Sequence, residues 1–153
     1  MNLQIYLAGQ IHDPWQKTFA KHCRDKELSV DLFGPMEDHD LSDHIGEQII
    51  GKQPTSILKD ESASSINNLR TKILMNKADV VVAYFGDAYR QWNTAQDCGT
   101  AISLNKPLIL VRDPSLHHAL KEISNDAQVT VDTLEQATDV LSYVLQPNGY
   151  TAK

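Results

Sequence analysis

Asp97 is the carboxylate best placed for chemistry, and the sequence offers it two uses. Thr94-x-x-Asp97 has the spacing of a capping box, in which an acid satisfies backbone N–H groups at a helix start. Left unpaired at the edge of a pocket, the same group can act as a nucleophile or proton acceptor. The residues by themselves favour the cap. Around Asp97 the other candidates divide in the same way. Tyr6 carries a hydroxyl that can orient a neighbour, or is a strand tyrosine packed in a core. Gly9-Gln10 ahead of a helix is a weak phosphate-binding pattern, or only a turn. Trp92 can stack on an aromatic ligand while Asn93 reads its edge, or the pair is a hydrophobic staple with an Asn cap. Arg70 can hold a phosphate or carboxylate bidentately, or lie on a helix surface. His12 is the histidine nearest these groups and a candidate proton donor; His117-His118 read as surface residues. Glu37, Asp38, His39, Asp40, Asp43, His44 and Glu47 cluster, but without the H-x-x-x-H, C-x-x-C or EF-hand spacing that a metal requires. No metal and no cofactor is expected.

Two β-branched apolar runs position Asp97: Val80 to Phe85 and Pro107 to Val111. Continuous rather than alternating apolarity implies burial on both faces, as in a parallel sheet. A loop and a helix of about a dozen residues join them, which makes a βαβ unit with a right-handed crossover. Before it come a strand over residues 3–8, a helix opened by Asp13-Pro14 and running to about Glu27, a strand over 29–33, and an irregular acidic stretch over 36–56. A long helix then ends at Lys77, with Ile66, Leu69, Ile73 and Leu74 as one apolar stripe. Asp79 begins the third strand at the end away from the crevice and reads as structural. After Val111, Arg112-Asp113-Pro114 starts a helix to about Ser124, a short strand covers 128–131, and Asp132 or Thr133 caps a last amphipathic helix. The expected fold is a three-layer α/β/α doubly wound, flavodoxin-like five-stranded parallel sheet in the order 2-1-3-4-5. Residues 1–146 form a single domain in this reading, and 147–153 a loose tail. The crevice opens where strands one and three part, between Tyr6–Ile11 and Phe85–Asp97.

Asp97-Cys98-Gly99-Thr100-Ala101 followed by Leu104-Asn105-Lys106-Pro107 resembles the E-x-G-x-A…L-G-K-P signature of the nucleoside 2-deoxyribosyltransferase superfamily, and Tyr6-Leu7-Ala8-Gly9 resembles its first strand and turn. Arg70-Thr71, Ala78-Asp79-Val80-Val81-Val82, Phe85-Gly86, Gln91-Trp92-Asn93 and Asp97-x-Gly99 are similar to its small YtoQ branch. The resemblance implies an enzyme that cleaves or exchanges the N-glycosidic bond of a (deoxy)nucleoside or nucleotide, with Asp97 as nucleophile and Tyr6 orienting it. It implies a binding site drawn from Gly9, Gln10, His12, Arg70, Phe85, Gln91, Trp92 and Asn93, with Gly99 and Ala101 letting their helix approach closely. It also implies a homodimer or higher homo-oligomer. The chain departs from the pattern in three places. Asp97 stands for a Glu, and Thr71 and Gln91 stand where relatives tend to carry polar or acidic groups. A non-catalytic protein that binds or senses a nucleotide-like small molecule is the alternative on the same fold.

Composition bounds the rest. The chain has 153 residues, 41% hydrophobic and 22% charged, with a net charge of -6. That balance speaks against a nucleic-acid polymer or an anionic membrane as partner. No apolar run is long enough to span a bilayer, and the start of the chain reads as strand rather than signal peptide. Two cysteines, Cys23 and Cys98, do not make a disulfide scaffold, and a reducing cytoplasm is the expected compartment.

Overall fold

A computed structural model describes residues 1–86, 90–146 and 148. The tail expected at 147–153 therefore lies outside the described residues except for Asn148. Five strands form one sheet: β1 (Leu3–Ala8), β2 (Val30–Phe33), β3 (Val80–Phe85), β4 (Leu108–Arg112) and β5 (Val129–Val131). Every pairing is parallel and the order is β2-β1-β3-β4-β5, as the alternation of elements predicts. Among the described residues six α-helices accompany them: α1 (Trp15–Asp25), α2 (His39–Ile50), α3 (Ser56–Lys77), α4 (Trp92–Ser103), α5 (Lys121–Asp126) and α6 (Leu134–Leu145).

The central strands are largely apolar because each buries both faces. From β1, Leu3, Ile5 and Leu7 join Val82, Ile109 and Val111 under Trp15, Phe19, Ala137 and Leu141, the layer of α1 and α6. Tyr6 and Ala8 point the other way. They join Val81, Ala83, Leu108 and Leu110 under Met75, Cys98 and Ala101, the layer of α3 and α4. Alternate residues of one run thus feed two cores. Lys26 Nζ meets Asp139 Oδ1 at 2.7 Å and ties α1 to α6. Asp79 does the structural work expected of it: its Oδ2 accepts from Gln4 N at 2.8 Å and its own N–H donates to Gln4 O at 2.7 Å.

Local signals explain the element ends. Asp13 Oδ1 accepts from Trp15 N, Thr55 caps α3, and Thr133 with Gln136 makes a reciprocal capping box on α6. Asn105 has φ 55°, the left-handed conformation that suits the Gly of the L-G-K-P pattern and that Asn tolerates. Lys106 Nζ then reaches the carbonyls of Asn76 and Ala78 at 2.7 and 2.8 Å, closing the end of α3.

Five expectations need correction. The irregular acidic stretch is mostly helix: α2 is capped by Asp38, whose Oδ1 accepts from Leu41 N, and packs along α3 through Gly46. The expected apolar stripe of α3 is split: Ile66 and Leu74 are partly buried, Leu74 against the core, while the other two residues face out. Leu69 and Ile73 are 60% and 59% exposed, while Ala63 and Met75 are buried. α1 stops at Asp25, because Glu27 turns the chain at φ 55°. After β4 the expected helix is a 3₁₀ turn, Pro114–Leu116, followed by the short α5. Finally, α4 begins at Trp92 rather than Thr94, which changes the meaning of Asp97. No helix among the described residues is long and apolar enough to cross a membrane.

Candidate active site

A cleft of about 620 Å³ opens beyond the carboxyl ends of β1 and β3. This is where a doubly wound sheet leaves room for a ligand, because its crossovers leave in opposite directions there. Gly9, Gln10 and His12 form one side, and Gln91, Trp92, Asn93 and Asp97 the other. Arg70 stands at the back. A smaller apolar hollow of about 230 Å³ lies apart, between α1 and β2 around Leu7, Ala20 and Phe33, and holds none of the candidate residues.

Asp97 is not a cap. It is the sixth residue of α4, past the first turn, and Thr94 lies inside the helix with 3% of its surface exposed. The capping box is absent because α4 starts earlier, at a left-handed Gln91 with φ 51°. Freed from the backbone, the Asp97 carboxylate faces the cleft floor, where Tyr6 Oη donates to Oδ2 across 3.5 Å. That is a long hydrogen bond, of the kind that tightens when a ligand closes the site. Burial raises the Asp97 carboxyl to about 6, and the Tyr6 hydrogen bond only partly opposes this. Tyr6 is fully buried, and desolvation followed by the nearby Asp97 charge pushes its phenol above the ordinary range, so it remains a donor. Thr71 and Arg70 approach the same phenol from α3. Cys98, buried behind Asp97, is pushed up to about 12 and is not a reactive thiol.

The remaining candidates separate cleanly. Gly9 is required by packing: a Cβ there would meet the Trp15 ring, which stacks on Tyr84 and donates Nε1–H to Gln10 O at 3.0 Å. Gln10 Oε1 accepts from His12 N at 2.6 Å, which fixes the β1–α1 turn. His12 is exposed at the rim, its ring 5.2 Å from that of His39. Arg70 has a structural job: Nη1 donates to Gly34 O at 2.7 Å, holding the turn after β2. Gln91 is almost buried and donates Nε2–H to Gly86 O at 3.0 Å. Trp92 and Asn93 are on the first turn of α4 rather than ahead of it. Asn93 shares the face of Asp97, four residues on. Trp92 is 72% exposed. Phe85 is the residue the structure moves away: it is 4% exposed in the core under α4 and does not line the cleft. Gly99 has nothing within 4 Å of where a Cβ would be, so close approach does not require it, whereas Ala101 is fully buried against the sheet.

The far wall was missed in the sequence. It comes from α2 and α3: His39, Ser42 and Asp43, then Asp60, Ser64, Asn67 and Asn68. The signal was present, since Asp60, Ser64 and Asn68 recur every fourth residue along α3. Asn67 Nδ2 donates to Ser42 O at 3.0 Å and holds the two helices together there. Among the described residues no group of three or more His, Cys, Asp or Glu is arranged to hold a metal ion.

Comparison with known proteins agrees with this architecture. The Bacillus subtilis (strain 168) protein described as "Uncharacterized protein YtoQ" is 52% identical over 146 residues, covering 95% of this chain and 99% of that one. The solved structure of a 2-deoxyribosyltransferase from Bacillus psychrosaccharolyticus is similar with a TM-score of 0.55 at 19% identity, over 88% of this chain and 89% of the other. That of a conserved protein from Enterococcus faecalis V583 is similar with a TM-score of 0.64 at 15% identity, over 95% and 100%. At such identities the likeness to the solved structures is one of fold. The family described as "Nucleoside 2-deoxyribosyltransferase YtoQ" matches residues 6–145, from the tyrosine under the cleft to the end of α6, and the chain belongs to that family.

Proposed function

We propose that the protein is an enzyme that breaks, or exchanges, the N-glycosidic bond of a nucleoside or nucleotide, with Asp97 as the nucleophile. The observation that carries this reading is the Asp97–Tyr6 pair: a carboxylate that caps nothing, on the cleft floor, with one oxygen engaged by a buried phenol. Oδ2 accepts the hydrogen bond that Tyr6 Oη donates, and Oδ1 is left for attack. In the first step Oδ1 forms a bond to the anomeric carbon as the bond from that carbon to the base nitrogen breaks, and the electron pair leaves with the base. In the second step water or another base displaces the carboxylate, so two inversions retain the configuration at that carbon. Tyr6 fixes the carboxylate rotamer, which supplies part of the near-attack geometry. Family membership and the fold shared with a 2-deoxyribosyltransferase support this class of reaction. Incubation with a panel of deoxynucleosides, ribonucleosides, their 5′-monophosphates and free bases, read by chromatography, tests it. Release or exchange of a base is expected, falling at least about a hundredfold in Asp97→Ala and Asp97→Asn. Activity should also decline as pH drops through about 6, where the nucleophile becomes protonated. Turnover unchanged in Asp97→Ala would overturn the assignment.

The shorter reach of Asp relative to Glu favours a second reading, a binding protein that retains the cleft without the reaction. Binding of panel members with no turnover under any pairing is its signature.

A further inference from the structure

The cleft holds two guanidinium groups, and they are not equivalent. Arg70 is committed to the Gly34 carbonyl. Arg90 makes no ion pair and no hydrogen bond to any described residue; instead its Cζ stands 5.6 Å from the centre of the Trp92 ring. The backbone sets this arrangement. Gln91, left-handed at φ 51° and anchored to Gly86 O, turns the chain between them so that Arg90 folds back over the indole. Trp92 itself is 72% exposed at the cleft lip. A large aromatic left open there, covered by a cation that has no ion-pair partner among the described residues, is a stacking surface with a hydrogen-bonding fork attached. It lies five residues before Asp97 on α4, so about 7.5 Å of helix axis separates the reacting atom from the stacking surface. With a sugar over Asp97, a base of that span would bring its far edge to Arg90 on the same cleft.

We propose that Arg90 and Trp92 select a 6-oxopurine, guanine or hypoxanthine, as the base of the substrate. The inference rests on the proposed N-glycosidic function of the same cleft. A base entering the cleft replaces the guanidinium on the indole face, and the released fork meets the base edge. The fork presents paired N–H donors and needs two adjacent acceptors. O6 and N7 of guanine and hypoxanthine provide them side by side on one edge, with O6 at its far end. Adenine puts an amino donor next to N7, which opposes the fork. Cytosine has its adjacent acceptors, O2 and N3, on the other edge, with O2 next to the glycosidic nitrogen, and its far exocyclic group is an amino donor. Lys in place of Arg would keep the charge without the fork.

The test uses equilibrium titration of the whole chain carrying Asp97→Asn, which binds without turnover under the proposed mechanism. Guanosine, inosine, adenosine, cytidine and thymidine are the probes, with the 5′-monophosphates of guanosine and adenosine beside them. Tryptophan fluorescence reports occupancy at exposed Trp92, because Trp15 is 3% exposed and packed on Tyr84. Calorimetry serves for Trp92→Phe. Guanosine and inosine are expected to bind at least about tenfold tighter than the other three nucleosides, the low end of what a bidentate pair discriminates. Arg90→Ala and Arg90→Lys should remove that preference while leaving adenosine within about threefold. Trp92→Phe should abolish the fluorescence change and weaken all five nucleosides together. Equal affinities, an adenosine or cytidine preference, a preference that survives Arg90→Ala, or no binding of any probe would overturn the proposal. So would an Arg90-dependent gain shared by both monophosphates, which would make Arg90 a phosphate ligand. Failure of the base ranking with turnover intact sinks the selection alone. A base ranking that holds for a protein without turnover sinks the enzyme instead.

Discussion

Asp97 places a charge where the fold does not favour one. Its folded proton affinity, about 6, exceeds the ordinary value near 4, so the folded state binds the proton more tightly than the unfolded chain does. For a raised carboxyl the stability contribution is fully present below about pH 4 and is lost as pH rises through about 6. At about 1.4 kcal/mol per unit, the ionised group costs the fold on the order of 2–3 kcal/mol at pH 8. Asp97→Asn keeps the shape and removes the charge. It should therefore raise the unfolding free energy from urea titration at pH 8 by an amount on that order, and the two proteins should converge near pH 4. A helix-capping carboxylate predicts the reverse, a loss of up to about 1 kcal/mol in the variant. The measurement separates the two uses of Asp97 without knowing the substrate. A stabilising loss of the proposed nucleophile would also be the usual mark of a site whose function is held at the expense of stability.

At the scale of elements, the glycine of the Asp97-x-Gly99 signature is not the one the helix packing needs. Gly46 brings α2 against α3, and a Cβ there would lie 2.6 Å from Ala63 N, a backbone atom that cannot swing aside. Gly46→Ala should cost about 1–3 kcal/mol in thermal unfolding by forcing the helices apart, and should widen the cleft they wall. Gly99 faces open space inside α4, so Gly99→Ala should stabilise by roughly 0.5–1 kcal/mol through the unfolded chain. If Gly99→Ala proves as damaging as Gly46→Ala, the account of both positions is wrong. The sheet was legible in the sequence because burial on both faces writes continuous apolar runs, and β1, β3 and β4 announce themselves that way. Asp97 and Tyr6 could be brought together because sheet order alone makes β1 and β3 neighbours. What could not be read was the helical wall. The outward face of α3 is apolar and its cleft face is polar, so periodicity assigned Leu69 and Ile73 to the wrong side. The start of α4 was also hidden. A left-handed Gln91 leaves no sequence mark comparable to a Gly or Pro, and the Thr94-x-x-Asp97 spacing imitated a cap.

For the whole molecule, the outward aliphatics of the α2–α3 pair remain to be accounted for. Ile49, Ile50 and Ile57 are 66%, 61% and 68% exposed at its tip, and Leu69 and Ile73 continue along α3. Exposed apolar groups of this size on one helix pair are candidates for a contact site. Together with the resemblance they predict at least a dimer, for which a two-fold interface is the common solution. Light scattering at micromolar concentration should give twice the chain mass or more, and Leu69→Asp with Ile73→Asp should return it to 17.1 kDa. A wild-type monomer would refute this. The parallel sheet has a further consequence, in time rather than in space. Gln4 and Asp79, which join β1 to β3, are 75 residues apart in the chain, whereas α2 and α3 meet across a short turn. Local helical contacts close in microseconds, and distant parallel pairing is slow because a long loop must be ordered first. During synthesis β1 emerges first and waits, with its central partner unmade, until β3 arrives. The α2–α3 wall can thus form before there is a cleft for it to enclose. Tyr6 and Asp97, 91 residues apart, meet only after the central strands have paired, so the proposed reaction centre is among the last features of the molecule to exist.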